Sequence, residues 1–313
     1  MAFADGSGTR LAYIAEVTEG TTPATPAFQN LRFTGENLIG EKQTVISDEI
    51  RPDGNIPDVV KVGHQVSGGF GGEMSYSTYD ELLESVLCGT WATDVLTNAR
   101  DRHAFTFEKT FETGANDVYR RYIGSLVGSF NMNITAKQIV TVQGTALGRT
   151  FAADTAIIAG ATYTSAGTEA VMEAASGFAS LDFGGVSPEM TITNMTINMT
   201  NNLRAQNQVG SADLAGIGLG QVDINGTMSA YLEDTQVLDL LDNHTASSLQ
   251  FTIGTVSTEK YTFRVPKLYF TSGDAVTPGN NQDVKIDMNW QAVYSDLGSP
   301  ADDFAIEITR AVA

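Results

Sequence analysis

The feature that most constrains the fold of this chain is an order of segments that occurs twice. A glycine-studded strand pattern and a short helical pattern, QVSGGFGGEMSYS and then YDELLESVL, return later as QVDINGTMSAY and then EDTQVLDLL. One constant offset pairs Gly72 with Gly226 and carries Asp80 onto Asp234. Such self-similarity fixes architecture ahead of local assignments. The sequence therefore predicts one supersecondary unit written twice in tandem.

Both units show the period-two alternation of half-buried antiparallel strands. From Gln221 to Ser229 every second side chain is polar, and the intervening ones are apolar or glycine. Several glycines surround Phe70, which indicates curvature or close approach by a neighbouring backbone. Residues 78–87 present one apolar helical face. We expect a mainly β protein whose two units each carry one short helix.

Changes in composition suggest where the units begin and end. Residues 1–32 hold two Thr-Pro steps and are expected to form an extended arm. The first unit is placed at 33–150 and the second at 181–313. Residues 151–180 are rich in Ala, Thr, Gly and Ser, and are interpreted as a connector with at most one strand.

Net charge restricts the classes of partner. The chain has 37 acidic and 18 basic residues, a formal charge of −19. It lacks the basic footprint needed to neutralise duplex phosphates or to bind an anionic membrane. The acidity either keeps the protein soluble or repels polyanions, and composition leaves both readings open. No signal-peptide pattern or bilayer-length apolar run is present, so we expect a soluble protein made in a reducing compartment.

No constellation of residues points to catalysis or to a bound cofactor. Three histidines, His64, His103 and His244, lack metal-ligand spacing, and the single Cys88 lies in an apolar helical run. A nucleophile elbow is absent. The glycines of 216–220 precede a strand, whereas a dinucleotide fingerprint follows one. We therefore expect no enzyme, no cofactor and no metal site.

Two long loops occupy equivalent positions in the units, at 47–63 and 201–220. Long loops between strands commonly serve binding, although each could instead fold over its own sheet. Arg51 and Arg204 lie at almost matching places in these loops. We expect the two guanidinium groups to pair with acidic groups of a neighbouring chain.

Several motifs together resemble one family. The ordered set TRLAYIAEVTEGTTPATPAFQNLRFTGE, SDEIRPDG, the glycine-rich strand before YDELLE, GTW, NNLRAQNQVGSADLAGIGLG and PKLYFTSGD…QDVKID is similar to tail tube proteins of long, non-contractile-tailed bacteriophages. The resemblance covers nearly the whole chain. It implies two tandem β-sandwich or barrel domains, each with a short flanking α-helix. It also implies rings whose inner sheets join as a barrel, and stacking of these rings into a tube.

The resemblance gives particular residues an expected role. In this family the long loop contacts the adjacent ring, which makes the following residues candidate inter-ring contacts: Asp48, Glu49, Arg51, Asp53, Asp58, Arg204, Gln206 and Asp213. The tube lumen is typically acidic, so Glu73, Asp223 and Asp287, on polar strand faces, are candidate lumen-facing acids. The same alternation would also allow them to face solvent outside the tube.

The duplication sets the expected ring size and partners. Two tube domains in each chain favour a trimer with pseudo-sixfold symmetry, with a hexamer of chains as the alternative. The expected partners are other copies of the chain and the tape-measure, tail-tip and tail-terminator proteins. DNA would pass through the lumen without specific binding, and the protein, made in the bacterial cytoplasm, would reside in the virion without membrane contact. The competing interpretation is a β-sandwich module that binds a host surface or carbohydrate, although its loops hold few aromatic side chains.

Overall fold

A computed structural model describes residues 3–114, 117–186, 190–295 and 303–311. Strands hold 51% of these described residues and helices 6%. This confirms the prediction of a mainly β protein. The division into two domains remains a prediction, because one continuous hydrophobic core spans both parts of the chain.

The first part of the chain alternates short and long strands around one helix. Its 3-10 turn covers Gly6–Gly8 and its α-helix, α1, covers Asp80–Leu87. Its strands are β1 Thr9–Ala15, β2 Ala27–Asn30, β3 Gly35–Glu36, β4 Ile39–Ile46, β5 Val59–Ser67, β6 Gly69–Glu73, β7 Val95–Thr97, β8 Phe105–Phe111, β9 Val118–Thr135, β10 Thr141–Leu147 and β11 Thr150–Asp154.

The second part follows a similar order. Its helix, α2, covers Gln236–Asp242. Its strands are β12 Thr162–Thr164, β13 Phe178–Phe183, β14 Ile192–Thr200, β15 Arg204–Gln206, β16 Gly216–Gly218, β17 Asp223–Tyr231, β18 Ser247–Ile253, β19 Lys260–Val276, β20 Lys285–Ala292 and β21 Glu307–Ala311.

A long antiparallel sheet runs through both parts of the chain. Its neighbours in space are β3, β6, β10, β9, β14, β17, β20 and β19. The two parts meet where β9 pairs with β14, from Asn194 opposite Thr135 to Thr200 opposite Ser129. The order β6–β10–β9 on one side of this junction matches β17–β20–β19 on the other.

The longest strands belong to two layers each. The first half of β9 pairs with β8 and β11, and its second half pairs with β10 and β14. In the same way β19 pairs first with β18 and β21 and then with β20. Gly124, with φ of 63°, lies between the two halves of β9 and adopts a left-handed conformation that suits glycine. These strands therefore connect the two layers around the core.

Period-two alternation separates a dry side of the long sheet from a wet one. In β17 the buried positions include Ile224, Met228 and Ala230, and polar side chains occupy the intervening positions. Trp290 of β20 is only 1% exposed and lies against Gly226, where a Cβ would collide with the indole ring. Burying each large side chain of this kind contributes about 1.5–3 kcal/mol.

Helix α1 closes one end of the core and is held by the second part of the chain. Its residues Leu82, Leu83, Val86 and Leu87 are fully buried. It ends at Cys88, whose φ is 51° and whose N–H bonds back into the last turn.

At the other end of α1, the carboxylate of Asp80 accepts hydrogen bonds from the Tyr261 hydroxyl and, at 2.7 Å, from Nη1 of Arg310. Burial and the neighbouring Asp80 carboxylate raise the pKa of Tyr261, so the phenol stays protonated and donates. This contact connects the helix to β19 and β21.

Several segments differ from their expected local structure. Residues 9–15 of the expected arm form β1, which pairs along its whole length with β8. The expected connector at 151–180 contains most of β11, all of β12 and the start of β13, which pair with β9, β2 and β18. The expected loop at 47–63 includes half of β5, so that β4 and β5 form a long hairpin. These pairings join residues distant in sequence, which local patterns do not reveal.

Candidate assembly surfaces

The wet face of the long sheet carries mainly amide and hydroxyl side chains. One row across five neighbouring strands consists of Gln143, Asn131, Asn198, Asn225 and Gln291. Nδ2 of Asn198 donates to Oδ1 of Asn225 at 3.1 Å. The next row comprises Thr141, Asn133, Thr196, Thr227, Asn289 and Ser272. Its side chains also bond one another: the hydroxyl oxygens of Thr196 and Thr227 lie 2.8 Å apart, and Nδ2 of Asn289 donates to the Ser272 hydroxyl oxygen at 2.7 Å.

The three candidate lumen-facing acids lie on this amide-rich face, well separated from one another. Glu73 ends β6, and Asp223 begins β17 four strands away, roughly 19 Å at about 4.8 Å per strand. Oδ1 of Asp223 accepts a hydrogen bond of 2.6 Å from Nε2 of Gln291. Asp287 of β20 accepts one from the hydroxyl of Ser229. The face is therefore polar with scattered carboxylates.

A second surface is the β4–β5 ribbon, residues 41–62, which projects from the body of the protein. The aliphatic side chains of Val45, Ile46, Val59 and Val60 are 48–56% exposed, and Ile50 at the tip is fully exposed. A two-stranded hairpin without a third strand is marginally stable in water. This ribbon therefore exposes an unusual amount of apolar surface for a single chain.

The base of the ribbon is fixed to the rest of the chain. Phe151 of β11 packs on Gly40, at a distance that would exclude a Cβ there. Nη2 of Arg120 donates to the Gly40 carbonyl at 2.9 Å, and its guanidinium lies over the Phe151 ring. The His64 ring meets the same phenyl edge-on, with centroids 5.2 Å apart. The ribbon therefore projects in a defined direction.

The candidate contact residues of the first loop lie in or next to the tip of the ribbon. Asp48, Glu49, Arg51, Asp53 and Asp58 are all exposed. Arg51 pairs with Asp53 in two contacts of 3.1 and 3.0 Å. That pairing, followed by the Asn55 N–H, lowers the pKa of Asp53 to about 2. The guanidinium expected to reach a neighbouring chain is thus bound within its own.

The second loop, residues 201–220, folds back onto the first part of the chain. Leu214 and Ile217 are buried against Leu126 and Ala104. In addition, Nη2 of Arg102 donates to the Ile217 carbonyl at 2.5 Å. A short hairpin of β15 and β16 shapes this loop. The loop also reaches the base of the ribbon, where the His64 N–H donates to the Ala212 carbonyl at 2.7 Å.

The three candidate residues in the second loop have contacts within the chain. Nη2 of Arg204 donates to the Leu219 carbonyl at 3.1 Å, and Gln206 pairs with Gly216 across the hairpin. Oδ1 of Asp213 lies 3.0 Å from Nδ1 of His64, at the base of the ribbon. This hydrogen bond is the largest cause of the lowered pKa of Asp213. The two loops touch here, but the structure gathers their candidate residues into no single patch.

Two strand edges of the long sheet lack a partner in the described part of the chain. On one side β3 pairs only with β6. On the other, the segment of β19 from Tyr269 to Val276 pairs only with β20. The corresponding segment of β9 has β10 on one side and β14 on the other. The sheet therefore ends in two open edges.

Sequence reasoning missed two of these features. The aliphatic residues of the ribbon are visible in the sequence as TVISDEI and NIPDVVKV, but the sequence analysis assigns most of these segments to a loop. The amide rows are visible as NMNIT, NMTINMT and IDMNWQ. Only strand pairing shows that these segments lie side by side.

The geometry suggests assembly more than chemistry. Among the described residues, His, Cys, Asp and Glu form no group of three or more that could hold a metal ion. No helix in that part of the chain has the length and hydropathy to cross a bilayer. What the protein does present are open strand edges, an exposed apolar ribbon and a broad polar sheet face. These are features of a structural subunit that associates with other chains.

Comparison with known families supports this class. Residues 6–292 match the family described as phage tail tube protein. The chain belongs to that family, as the resemblance predicted. It is a structural component of the virion, assembles with copies of itself into a tube and contacts other tail components. No curated protein matches the chain.

Proposed function

We propose that three copies of this chain close into a ring with pseudo-sixfold symmetry, and that these rings stack into the tail tube. The junction of β9 with β14 inside the chain carries the proposal. The open edges of β3 and of distal β19 stand where a matching junction would form between two chains. The strand orders on the two sides of the β9–β14 junction match each other, which supports two equivalent units per chain. Three chains would then supply six units.

Pairing these edges would also solve a physical problem. An open strand edge offers unpaired N–H and C=O groups that invite indiscriminate association. A closed ring satisfies them with identical neighbours. Edge pairing through backbone hydrogen bonds is an established mode of protein association. The ring would therefore contain one intrachain and one interchain junction per copy.

A disulfide test would address ring closure and ring size together. Gly35 corresponds to Asn198 and Tyr269 corresponds to Asn131 by their places in the two matching strand orders. If the interchain junction copies β9–β14, Gly35 of one chain therefore lies opposite Tyr269 of the next. Gly35 has open space at its Cβ position, and Tyr269 is partly exposed. Gly35→Cys combined with Tyr269→Cys should give, after oxidation, covalent species of two and three chains and nothing larger. Covalent species of up to six chains would refute the trimer.

The matched controls are the two single-cysteine variants. Neither can form this disulfide, because each leaves one side of the junction without a thiol, and the native Cys88 is buried. Absence of cross-linking for the double variant at Gly35 and Tyr269, in rings seen by electron microscopy, would refute the edge pairing. It would leave the tail tube assignment itself intact.

We further propose that the amide-rich face lines the bore. Its carboxylates, Glu73, Asp223 and Asp287, would repel DNA phosphates, and its amides and hydroxyls already bond one another. A cysteine at Asn131 should then react with a polyethylene-glycol maleimide in the free chain but not in tubes. A small maleimide should react in both. Equal labelling by the large reagent in tubes would place this face outside.

The remaining roles follow from this arrangement. The exposed acids at and beside the ribbon tip and the second-loop residues Arg204, Gln206 and Asp213 would contribute to contacts between rings. The tube would meet tape-measure, tail-tip and tail-terminator proteins, and DNA would pass through it without specific binding. The chain has no catalytic role in this proposal, and it would be made in the cytoplasm of the bacterial host before assembly.

A further inference from the structure

We propose that an aromatic contact specifies the joint between chains: Tyr269 of one chain packs over Gly35 and Gly71 of the next. The corresponding joint within the chain is made by amide side chains instead. This inference rests on the proposed ring and adds what decides which edges of two chains meet. It follows from a groove that only the glycines of the first part of the chain leave open.

The groove lies on the wet face of the long sheet, next to its open edge at β3. Its volume is about 690 Å³. Gly35 and Gly71 lie opposite each other on neighbouring strands, and Gln143 and Asn131 continue the same row. A Cβ at Gly35 would meet no atom within 4 Å, and one at Gly71 would meet its nearest atom at 3.7 Å. The two glycines therefore leave space where the rest of the row carries side chains.

The corresponding positions in the second part of the chain are filled. By the matching strand pairs, Asn198 takes the place of Gly35, and Asn225 takes the place of Gly71. Nδ2 of Asn198 donates to Oδ1 of Asn225 at 3.1 Å. At the junction of β9 with β14, Asn131 lies opposite Asn198. That junction therefore joins amide to amide across a filled row.

Tyr269 ends the row at the other open edge of the sheet. Its neighbours along the strand, Leu268 and Phe270, are buried, so alternation places the phenol ring on the wet face. The ring of His244 stacks on it, with centroids 4.6 Å apart and planes 16° apart. The ammonium group of the flexible Lys267 lies 5.9 Å from the same ring. These contacts hold the partly exposed ring beside the edge that the next chain would join.

Pairing the two edges would bring the ring over the glycines. If the chains pair as β9 pairs with β14, Tyr269 of one chain stands directly opposite Gly35 of the next, and Gly71 is one strand further, roughly 4.8 Å away. Aromatic side chains reach cross-strand neighbours about 7–8 Å away. A ring over an edge glycine also shields backbone that would otherwise stay in water. The neighbouring chain thus supplies the side chain that the groove lacks.

This contact would also select the correct pair of edges. Two β3 edges would bring glycine against glycine and bury no side chain. Two distal β19 edges would set one tyrosine against another, with no groove to receive either ring. Only unlike edges bury the aromatic ring, and pairing of unlike edges gives the head-to-tail contact that a closed ring requires.

Exchanging residues between the two kinds of joint tests the fit. Gly35→Asn with Gly71→Asn fills the groove with the amides of the intrachain row, and Tyr269→Asn removes the ring. Each change should raise the protein concentration at which half of the chains are in three-chain rings by at least about tenfold, because tyrosines buried at interfaces are common hot spots. The three substitutions together should recover most of this loss, because the interchain joint then pairs amide with amide, as Asn131 and Asn198 do.

Tyr269→Phe is the matched control, because it keeps the ring and should assemble nearly as well as the unaltered protein. Mass photometry would count chains per ring. Incorporation into tubes grown from sheared tube seeds, followed by electron microscopy, would give the same comparison within a tube. Urea unfolding would establish that every variant folds, as the clearance at Gly35 and Gly71 leads us to expect.

Each contrary outcome has a distinct meaning. If the triple variant loses the product of the separate losses, Tyr269 and the glycines act independently, and the fit is refuted. Unchanged assembly of Tyr269→Asn would show that the ring does not enter the joint, and an equal loss for Tyr269→Phe would assign the effect to the hydroxyl. Both results refute the packing contact but leave the edge pairing to the disulfide test. Absence of three-chain rings in the unaltered protein, free and in tubes, would instead count against the proposed function.

Discussion

The buried ion pair between Lys109 and Glu36 allows a quantitative test of what stabilises β3, the strand at one open edge of the sheet. Nζ of Lys109 lies 2.6 Å from Oε2 of Glu36 and 3.1 Å from the carbonyl of Leu38. The two side chains are only 8% and 12% exposed. The Leu38 carbonyl also accepts a hydrogen bond of 2.9 Å from the Tyr122 hydroxyl. These contacts hold β3 and the segment that leads into β4 against β8 and β9.

Replacing Lys109 by methionine keeps most of the side-chain volume but removes the charge. The carboxylate of Glu36 would then remain buried without a counter-ion, which costs about 3–5 kcal/mol. Whole domains are stable by only about 5–15 kcal/mol, so this loss is large. Adding Glu36→Gln should return the free energy of unfolding to within about 2 kcal/mol of the original, because no unpaired charge remains.

The glutamine can also retain a hydrogen bond that Glu36 makes now. Oε2 of Glu36 accepts from the Leu38 N–H at 3.0 Å, and an amide oxygen could do the same. The second substitution therefore removes charge with little change in local geometry.

Urea unfolding followed by the fluorescence of Trp91 and Trp290 would measure all the variants, including Glu36→Gln alone. Trp91 packs against the core beside α1, and Trp290 lies within it. A loss below about 1 kcal/mol for Lys109→Met would show that Glu36 is solvated in solution. A double variant no more stable than Lys109→Met would show that lysine acts through packing alone. Either result would refute the electrostatic argument.

Two further predictions concern local contacts. Gly72→Ala should destabilise the fold by about 1–3 kcal/mol, because the added Cβ would lie 1.9 Å from the Tyr79 hydroxyl oxygen. Gly71→Ala is the control: its Cβ would lie 3.7 Å from the nearest atom, so thermal unfolding of this variant should be nearly unchanged. Asp213→Asn should cost up to about 1 kcal/mol near neutral pH, since the carboxylate is 48% exposed beside His64. Because the pKa of Asp213 is lowered in the fold, its contribution is present above the ordinary value of 3.8 and lost as pH falls through the lowered one. The two proteins should therefore become equally stable in strong acid, and a pH-independent difference would contradict the assignment.

Local periodicity was enough to predict the elements whose burial repeats along the chain. The alternation between Ile224 and Met228 predicted the dry side of β17, and the observed burial confirms it. The apolar face at 78–87 predicted a helix that the structure places at Asp80–Leu87. In both cases the hydrophobic pattern and the tertiary packing select the same residues.

Features that depend on distant pairing were beyond the sequence. The parallel contact of β12 with β2 joins Tyr163 to Phe28, and their rings stack with centroids 5.5 Å apart. Neither short segment has a periodicity that predicts this contact. Likewise, the intrachain bond between Arg51 and Asp53 decides what the guanidinium can reach, and only the turn of the chain brings the two together.

The candidate acids were placed on polar strand faces by alternation alone. That reasoning found the face on which Glu73 and Asp287 lie, but it could not show that amides outnumber carboxylates there. The reason is physical: the composition of a sheet face depends on which strands are neighbours, and sequence order does not determine this.

The position of β21 has a consequence for how the protein is made. This strand pairs with β7, and its Arg310 contacts Asp94, which lies 216 positions earlier in the chain. On a ribosome, helix α1 and β7 would emerge long before their partner exists. Contacts of such separation form slowly, because a long loop must close before any of them stabilises the fold. The first part of a nascent chain would thus remain incomplete until β21 arrives, and this delay would keep half-made subunits from adding to a growing tube.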